Sequence, residues 1–153
     1  NPIEPAKYGC KIYHGPYVSN FEKIYNFLNK KKPKYLKILK KKFLIERRGF
    51  DYPNKNIFEK PIFEKKKKKF RFRYLREYIE TAYKIKKIKL NTNQVKALNF
   101  LDKLIHSSRF QKKFKLNQGD IIILNNNILA HGRTKFNLGS NNDQRTLIRV
   151  WIK

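Results

Sequence analysis

One histidine and two arginines near the C-terminal end of the chain are the residues with the clearest chemical potential. His131 follows a largely apolar, strand-like run over residues 119–129, and Arg145 and Arg149 lie four residues apart in a second such run. If the second run is a strand, its alternation places both arginines on one face. A neutral imidazole binds metal ions, and a guanidinium group binds carboxylates through paired hydrogen bonds. The combination suits a metal ion with a carboxylate co-substrate.

The strand predicted over residues 145–151 is apolar on both faces, apart from its arginines. Leu147 and Trp151 share the face of the arginines, and the opposite face carries Thr146, Ile148 and Val150. Such a pattern favours a central strand, where an unpaired guanidinium group would be very costly. We therefore expect an anion beside Arg145 and Arg149: either a bound carboxylate or, as a structural alternative, Asp120 or Asp143.

The composition predicts one strongly basic domain over residues 1–153. The chain has 38 Lys and Arg against 11 Asp and Glu, a formal net charge of +27, which by itself indicates an anionic partner. However, lysine is spread over every segment and accompanies many Asn, Ile, Phe and Tyr residues, as expected from an AT-rich genome. Nucleic acid is therefore not the expected partner. A basic nucleic-acid-binding protein stays open as an alternative, because aromatic and basic residues alternate over residues 69–76.

Cysteine and hydropathy set further bounds. Cys10 is the only cysteine, which excludes an internal disulfide or a cysteine-based zinc site within this sequence and fits a reducing compartment such as the cytoplasm. No apolar stretch approaches the length of a membrane span, and no signal peptide is visible. The chain begins with Asn1 and contains no methionine, so we expect a fragment of a longer protein.

Helices are predicted in the first half after a short strand at residues 8–14. Ser19 and Glu22 form a capping-box pattern ahead of an apolar stripe that includes Phe21, Ile24 and Leu28. Pro33 separates this helix from a second one. Its predicted stripe is Leu36, Leu39 and Phe43, and it ends at Arg47-Arg48-Gly49.

Strands are predicted over residues 57–64 and 69–75, joined by a turn at Lys65–Lys69. A helix capped by Thr92 follows, with a buried stripe from Val95 to Ile105, and then a strand at residues 110–116 and a turn at residues 117–120. Strands dominate the second half. The fold class predicted is therefore mainly β with flanking helices, as a β-sandwich or jelly roll.

The run from Gln118 to Phe136 resembles the distal-histidine segment of the taurine dioxygenase and clavaminate synthase-like superfamily. The shared pattern is a Gly-Asp pair, an apolar strand, an Asp-Asn pair (here Asn125-Asn126) and then His131-Gly132-Arg133-Thr134. The segment at residues 145–151 is similar to the family's arginine strand, and residues 72–76 resemble its mid-domain arginine-tyrosine strand. Gly9 to Ile12 sits where the family tends to have Gly-Gly-x-Thr, so Ile12 replaces a threonine.

This resemblance implies a double-stranded β-helix and an iron(II)- and 2-oxoglutarate-dependent oxygenase, which couples oxidative decarboxylation of 2-oxoglutarate to hydroxylation of a small organic substrate. It implies that His131 is an iron ligand and that Arg145 or Arg149 holds the distal carboxylate of 2-oxoglutarate. Spacing does not decide between the two arginines. Arg133 and Arg73 are candidate substrate contacts, although an exposed turn position and a solvent-facing strand position, respectively, explain them as well.

One element of the family's site is missing from the sequence. The family binds iron through a His-x-Asp or His-x-Glu pair plus the distal histidine. His14, His106 and His131 are followed two residues later by Pro16, Ser108 and Arg133. We therefore expect the C-terminal portion of an incomplete β-helix domain, whose N-terminal portion would supply the pair, and an inactive isolated chain. The alternative is a degenerate, non-catalytic binding module.

Overall fold

A computed structural model describes residues 12–13, 20–47, 57–66, 69–111, 113, 115–117, 119–124 and 131–132. Within these ranges the strands are β1 (Ile12–Tyr13), β2 (Lys42–Glu46), β3 (Ile57–Pro61), β4 (Phe63–Lys66), β5 (Lys69–Phe72) and β6 (Ile121–Ile122). The helices are α1 (Asn20–Lys31), α2 (Pro33–Leu39), α3 (Arg76–Ile85) and α4 (Thr92–Ile105). None of the described helices is both long enough and apolar enough to cross a bilayer.

The first two helices form as their apolar spacing predicts. Phe21, Ile24 and Leu28 of α1 are buried on one face, which confirms the predicted stripe, while the predicted cap Ser19 lies outside the described residues. Pro33 occupies the first turn of α2, where its missing N–H costs no hydrogen bond. Helix α2 packs against both α1 and α4.

The predicted C-terminal part of the second helix is wrong. Helix α2 ends at Leu39, and Phe43 lies instead on β2, which pairs antiparallel with β3 from Lys42↔Pro61 to Glu46↔Ile57. Phe43 and Ile45 are buried on one face of β2, so the alternation of a strand takes over from helical spacing. Arg47, predicted to lie at the end of a helix, follows a strand.

The lysine-rich hairpin is confirmed by strand pairing. β4 and β5 run antiparallel, with Phe63 opposite Phe72 and Lys66 opposite Lys69. The single strand predicted over residues 57–64 is in fact two strands, because Ile62 breaks it. Its N–H donates to the Leu39 carbonyl oxygen at 3.1 Å, and its own carbonyl oxygen accepts the N–H of Arg73 at 3.0 Å. Ile62 therefore joins the hairpin to the end of α2.

Helix α3 was not predicted. The strand that was expected to continue to Leu75 ends at Phe72, and α3 begins at Arg76. Ile79 and Ala82 of α3 are buried, and the helix packs on β2. Its C-terminus has the Schellman pattern, in which Ile88 N–H donates to the Tyr83 carbonyl oxygen and Lys87 N–H to that of Lys84. Lys87 adopts φ +54° there, a conformation that favours glycine.

Helix α4 begins one residue earlier than expected. Asn91, not Thr92, is the N-cap: its side-chain oxygen accepts the Gln94 N–H, and the Gln94 side chain accepts the Asn91 N–H, both at 2.9 Å. An amide oxygen caps as well as a hydroxyl group, and Gln94 completes the box only from Asn91. The buried stripe is confirmed at Leu98, Leu101 and Leu104.

The segment after α4 is not the strand that was predicted. Phe110 lies in a turn, where its N–H donates to the Ser107 carbonyl oxygen at 3.1 Å and its ring packs edge-on against Phe27. The described residues between 107 and 117 contain no strand. The turn at residues 117–120 is confirmed, and β6 after it pairs in parallel with β1.

One hydrophobic cluster joins buried residues of all four helices with β2, Ile62, β4 and β5. The described strands form three two-stranded sheets, β1–β6, β2–β3 and β4–β5. The double-stranded β-helix involves residues beyond the described ranges and stays a prediction.

Candidate functional site

The predicted site residues fall on both sides of the boundary of the described structure. His131 and Gly132 are described and exposed, and Arg73 is described and exposed. Arg133, Arg145 and Arg149 lie outside the described residues, as does Asp143. The structure therefore places His131 at the surface but does not test whether the arginines converge on it.

A tight turn sets the start of the strand that leads toward His131. The Asp120 N–H donates to the Asn117 carbonyl oxygen at 3.1 Å, and the Asp120 carboxylate accepts the Asn117 N–H at 2.8 Å. Gly119, with φ +83°, occupies the position of the turn that requires a left-handed backbone. The Gly-Asp pair of the motif thus has a local structural task. Asp120 uses its carboxylate in this turn.

Two segments that carry the family resemblance are neighbours in the structure. Ile12 pairs with Ile121 and Tyr13 with Ile122, in parallel. Ile12 is the residue that replaces the family's threonine, and β6 belongs to the distal-histidine segment. Because the two strands are parallel, their C-terminal ends lie at the same end of this two-stranded sheet. The chain that leads from β6 to His131 therefore starts at that end.

Arg73 is engaged with an aromatic ring. Its guanidinium carbon lies 5.0 Å from the centroid of the Phe58 ring, and the guanidinium carbon of Arg47 lies 5.5 Å from the same centroid. Both distances fit cation–π contact, worth about 0.5–1 kcal/mol each at exposed sites. Phe70 and Phe72 face the core while Arg71 and Arg73 are exposed, as the alternation predicted. The exposed, ring-stacked position of Arg73 favours the solvent-facing alternative.

A polar network that the sequence did not reveal joins the start of α3 to α4. The Tyr74 hydroxyl donates to Asp102 Oδ1 at 2.5 Å, and Arg76 Nη1 donates to Asp102 Oδ2 at 3.0 Å. Arg76 Nε also donates to Glu80 Oε1 at 2.6 Å. The Arg76–Glu80 spacing of four residues was a readable signal of helix, whereas Asp102 is distant in sequence.

Electrostatics keeps this network in one protonation state. Burial raises the pKa of Tyr74 well above its ordinary value, and the hydrogen bond to the Asp102 carboxylate adds to the effect. Burial lowers the pKa of Arg76, but its hydrogen bonds to Glu80 and Tyr74 outweigh burial, so the net shift is upward. Tyr74 therefore stays a neutral donor and Arg76 a cation at physiological pH. The network is a structural tie, not an acid–base pair.

The described residues do not complete an iron site. Within the described ranges, no group of three His, Cys, Asp or Glu side chains is arranged to hold a metal ion. His131 supplies one imidazole, and a facial triad needs two further protein ligands. His106 is exposed, and its ring Nδ1 donates to the Asp102 carbonyl oxygen at 2.8 Å, which fits an incidental role at the end of α4. His14 lies outside the described residues.

Comparison with known proteins gave one match. The family model described as "Taurine catabolism dioxygenase TauD, TfdA family" matches residues 17–151, which include most of the described chain, the distal-histidine segment and residues 145–151. No curated protein and no solved structure matches the chain.

Proposed function

The chain belongs to the taurine catabolism dioxygenase TauD, TfdA family, and from this premise we propose that it is part of a cytoplasmic dioxygenase that hydroxylates a small organic substrate. The family consists of iron(II)- and 2-oxoglutarate-dependent dioxygenases, so the enzyme class follows from membership. The match over residues 17–151 is the observation that carries the proposal.

Within that function we assign roles to the residues of the distal segment. His131 is the iron ligand, and Arg145 or Arg149 holds the distal carboxylate of 2-oxoglutarate through a bidentate hydrogen bond. Arg133, two residues after the ligand in sequence, is assigned a contact with the substrate. Arg73 has a stacking role on Phe58 at 5.0 Å, so a substrate contact would require it to leave that ring.

The remaining two iron ligands come, on this proposal, from outside residues 1–153. The support is chemical: no histidine of the sequence begins a His-x-Asp or His-x-Glu pair, and one imidazole does not hold iron tightly. The pairing of β1 with β6 is consistent with this origin, because it places Ile12 and Tyr13, which are close to the start of the sequence, beside the strand that precedes His131. Residues 1–153 alone should bind iron(II) weakly, and a tight stoichiometric complex would contradict the proposal.

The test is 2-oxoglutarate turnover by the protein extended with the coding sequence upstream of Asn1. We expect an upstream His-x-Asp or His-x-Glu pair and succinate formation that depends on iron(II). Replacement of His131 by Ala should abolish turnover, because it removes a metal ligand. The control is His106→Ala, which removes an exposed imidazole bonded only to a backbone carbonyl and should leave turnover unchanged.

Two results would refute the proposal. The first is an upstream initiator methionine with no ligand pair, which would favour a degenerate binding module. The second is equal turnover by the His131→Ala variant and the unmodified protein, which would show that this imidazole is not a ligand.

A further inference from the structure

A strongly cationic described surface lies where α1 passes into α2 and on to β2. Residues 30–42 contain eight lysines, and every one of them is exposed; we call this set the lysine surface. The chain as a whole has 38 basic residues in 153, so the density of basic residues here, eight in thirteen, is more than twice the average. Residues 84–89 reach a similar density, but there the lysines are interrupted by the exposed Ile85 and Ile88.

The lysine surface is almost uncompensated by negative charge. Residues 30–45 contain no Asp or Glu. Within the described part of the chain, its only ion pair is Lys42 with Glu59 at 3.8 Å, between largely exposed side chains. Lys34 and Lys37 lie three residues apart on α2, and like charges at that spacing on a helix repel by about 0.2–0.5 kcal/mol per pair; Lys40 and Lys41 follow directly after the helix. A polyanion would remove this repulsion.

A shallow, open depression lies on this surface. It is lined by Asn29, Pro33, Leu36, Lys37 and Lys40. The two ammonium groups and the Asn29 amide all donate hydrogen bonds, and Leu36, almost fully buried, forms part of the lining. A cleft that offers several donors and no carboxylate suits a phosphate oxygen.

We propose that the lysine surface binds the phosphate backbone of nucleic acid without reading its sequence. Lysine is a flexible point charge that neutralises phosphate but gives little base specificity, which supports backbone contact. Nucleic acid is favoured over a lipid surface because residues 30–42, all of them described, expose no large apolar side chain that would insert into a bilayer. The proposal gives these lysines a role beyond the composition bias expected from an AT-rich genome. None of these lysines is among the residues assigned to iron and 2-oxoglutarate.

The test compares two variants that lose the same charge at different places. The first is K34Q/K37Q/K40Q/K41Q, on the lysine surface. The matched control is K84Q/K86Q/K87Q/K89Q, whose four lysines are equally exposed but are interrupted by the exposed Ile85 and Ile88. Binding of a labelled random-sequence duplex is measured by fluorescence anisotropy from about 50 to about 200 mM salt, where phosphate contacts dominate the salt dependence.

We expect the surface variant to lower the slope of log K against log salt by about 3–4, since each phosphate contact contributes about 0.9. The control should change the slope by less than about one such contact. Far-UV circular dichroism checks that both variants fold, and K37Q/K40Q, confined to the depression, replaces the fourfold variant if that one does not.

Three results would overturn the proposal. Equal slope changes in the two variants would show that net charge alone drives binding. An unchanged slope in the surface variant would place the contacts elsewhere. The third result uses vesicles of phosphatidylcholine and phosphatidylserine as a second probe: loss of vesicle binding with duplex binding intact would assign the surface to anionic lipid.

Discussion

Replacement of Asp102 by Ala should destabilise the protein more than an ordinary surface substitution. Asp102 accepts hydrogen bonds from Tyr74 at 2.5 Å and from Arg76 at 3.0 Å. A hydrogen bond to a charged group is worth about 1.5–3 kcal/mol. The side chains of the Arg76–Asp102 pair are about a quarter to a third exposed, so solvent limits that pair to about 0.5–1 kcal/mol. The free energy of unfolding should therefore fall by about 2–4 kcal/mol.

Urea unfolding followed by circular dichroism measures this loss, and double-mutant cycles assign it. Asp102→Asn keeps an acceptor for the tyrosine but loses the charge, so it should cost about half as much as the alanine variant. The cycle of Asp102→Ala with Tyr74→Phe should give a coupling energy of about 1–2 kcal/mol, because the two substitutions remove the same hydrogen bond. As a control, Glu59→Gln alters an exposed ion pair on β3 and should be additive with Asp102→Ala.

A small effect would refute the reasoning. If Asp102→Ala costs less than about 0.5 kcal/mol, the value typical of a neutral surface change, the network does not tie α3 to α4. A coupling energy near zero between Tyr74 and Asp102 would show that their hydrogen bond stabilises the folded protein no more than a hydrogen bond from the tyrosine hydroxyl to water would.

Three further measurements test other features. Folding raises the pKa of Tyr74, so the stability that this tyrosine contributes is present below pH about 10 and is lost as the pH rises further. Above pH about 10, the free energy of unfolding of the wild-type protein, measured by urea unfolding, should therefore fall faster than that of Tyr74→Phe, by at most about 1.4 kcal/mol per pH unit. Lys87→Gly should raise the free energy of unfolding by about 0.5–1 kcal/mol, because glycine accepts φ +54° without strain; a loss would contradict this. In the upstream-extended protein, Arg145→Gln, Arg149→Gln or both should weaken 2-oxoglutarate binding about tenfold or more, measured by isothermal titration calorimetry, and unchanged binding in both variants would contradict the assignment.

Elements that depend on local spacing were predictable from the sequence. The stripe of Phe21, Ile24 and Leu28 repeats with the period of a helix, and the structure buries all three. The lysine run between two alternating aromatic segments predicted the β4–β5 hairpin, because alternation and a polar turn are both local properties.

Elements that depend on distant partners were not predictable. Phe43 continues the helical spacing of Leu36 and Leu39, and only its pairing opposite Lys60 on β3 makes it part of a strand. Tyr74 continues the alternation of Phe70 and Phe72, yet the strand stops at Phe72. A single-sequence pattern contains no information about such partners.

In the candidate site, too, local features were predictable from the sequence and contacts between distant residues were not. The sequence located the turn before β6, which is set by local hydrogen bonds. It also carried the family resemblance, which the match over residues 17–151 supports. The geometry linking His131 with Arg145 and Arg149 depends on strands far apart in sequence, and it stays a prediction.

The parallel pairing of β1 with β6 has a consequence for the order in which the protein folds. Ile12 and Ile121 are 109 residues apart, so closing the loop between them costs about 4 kcal/mol of chain entropy, more than two residue pairs return. The helices and the hairpin between them involve shorter loops and should assemble while the ribosome is still adding residues. The two strands would then join last, on a scaffold already in place, so the described pairing that is nearest to His131 in sequence would be the last to form.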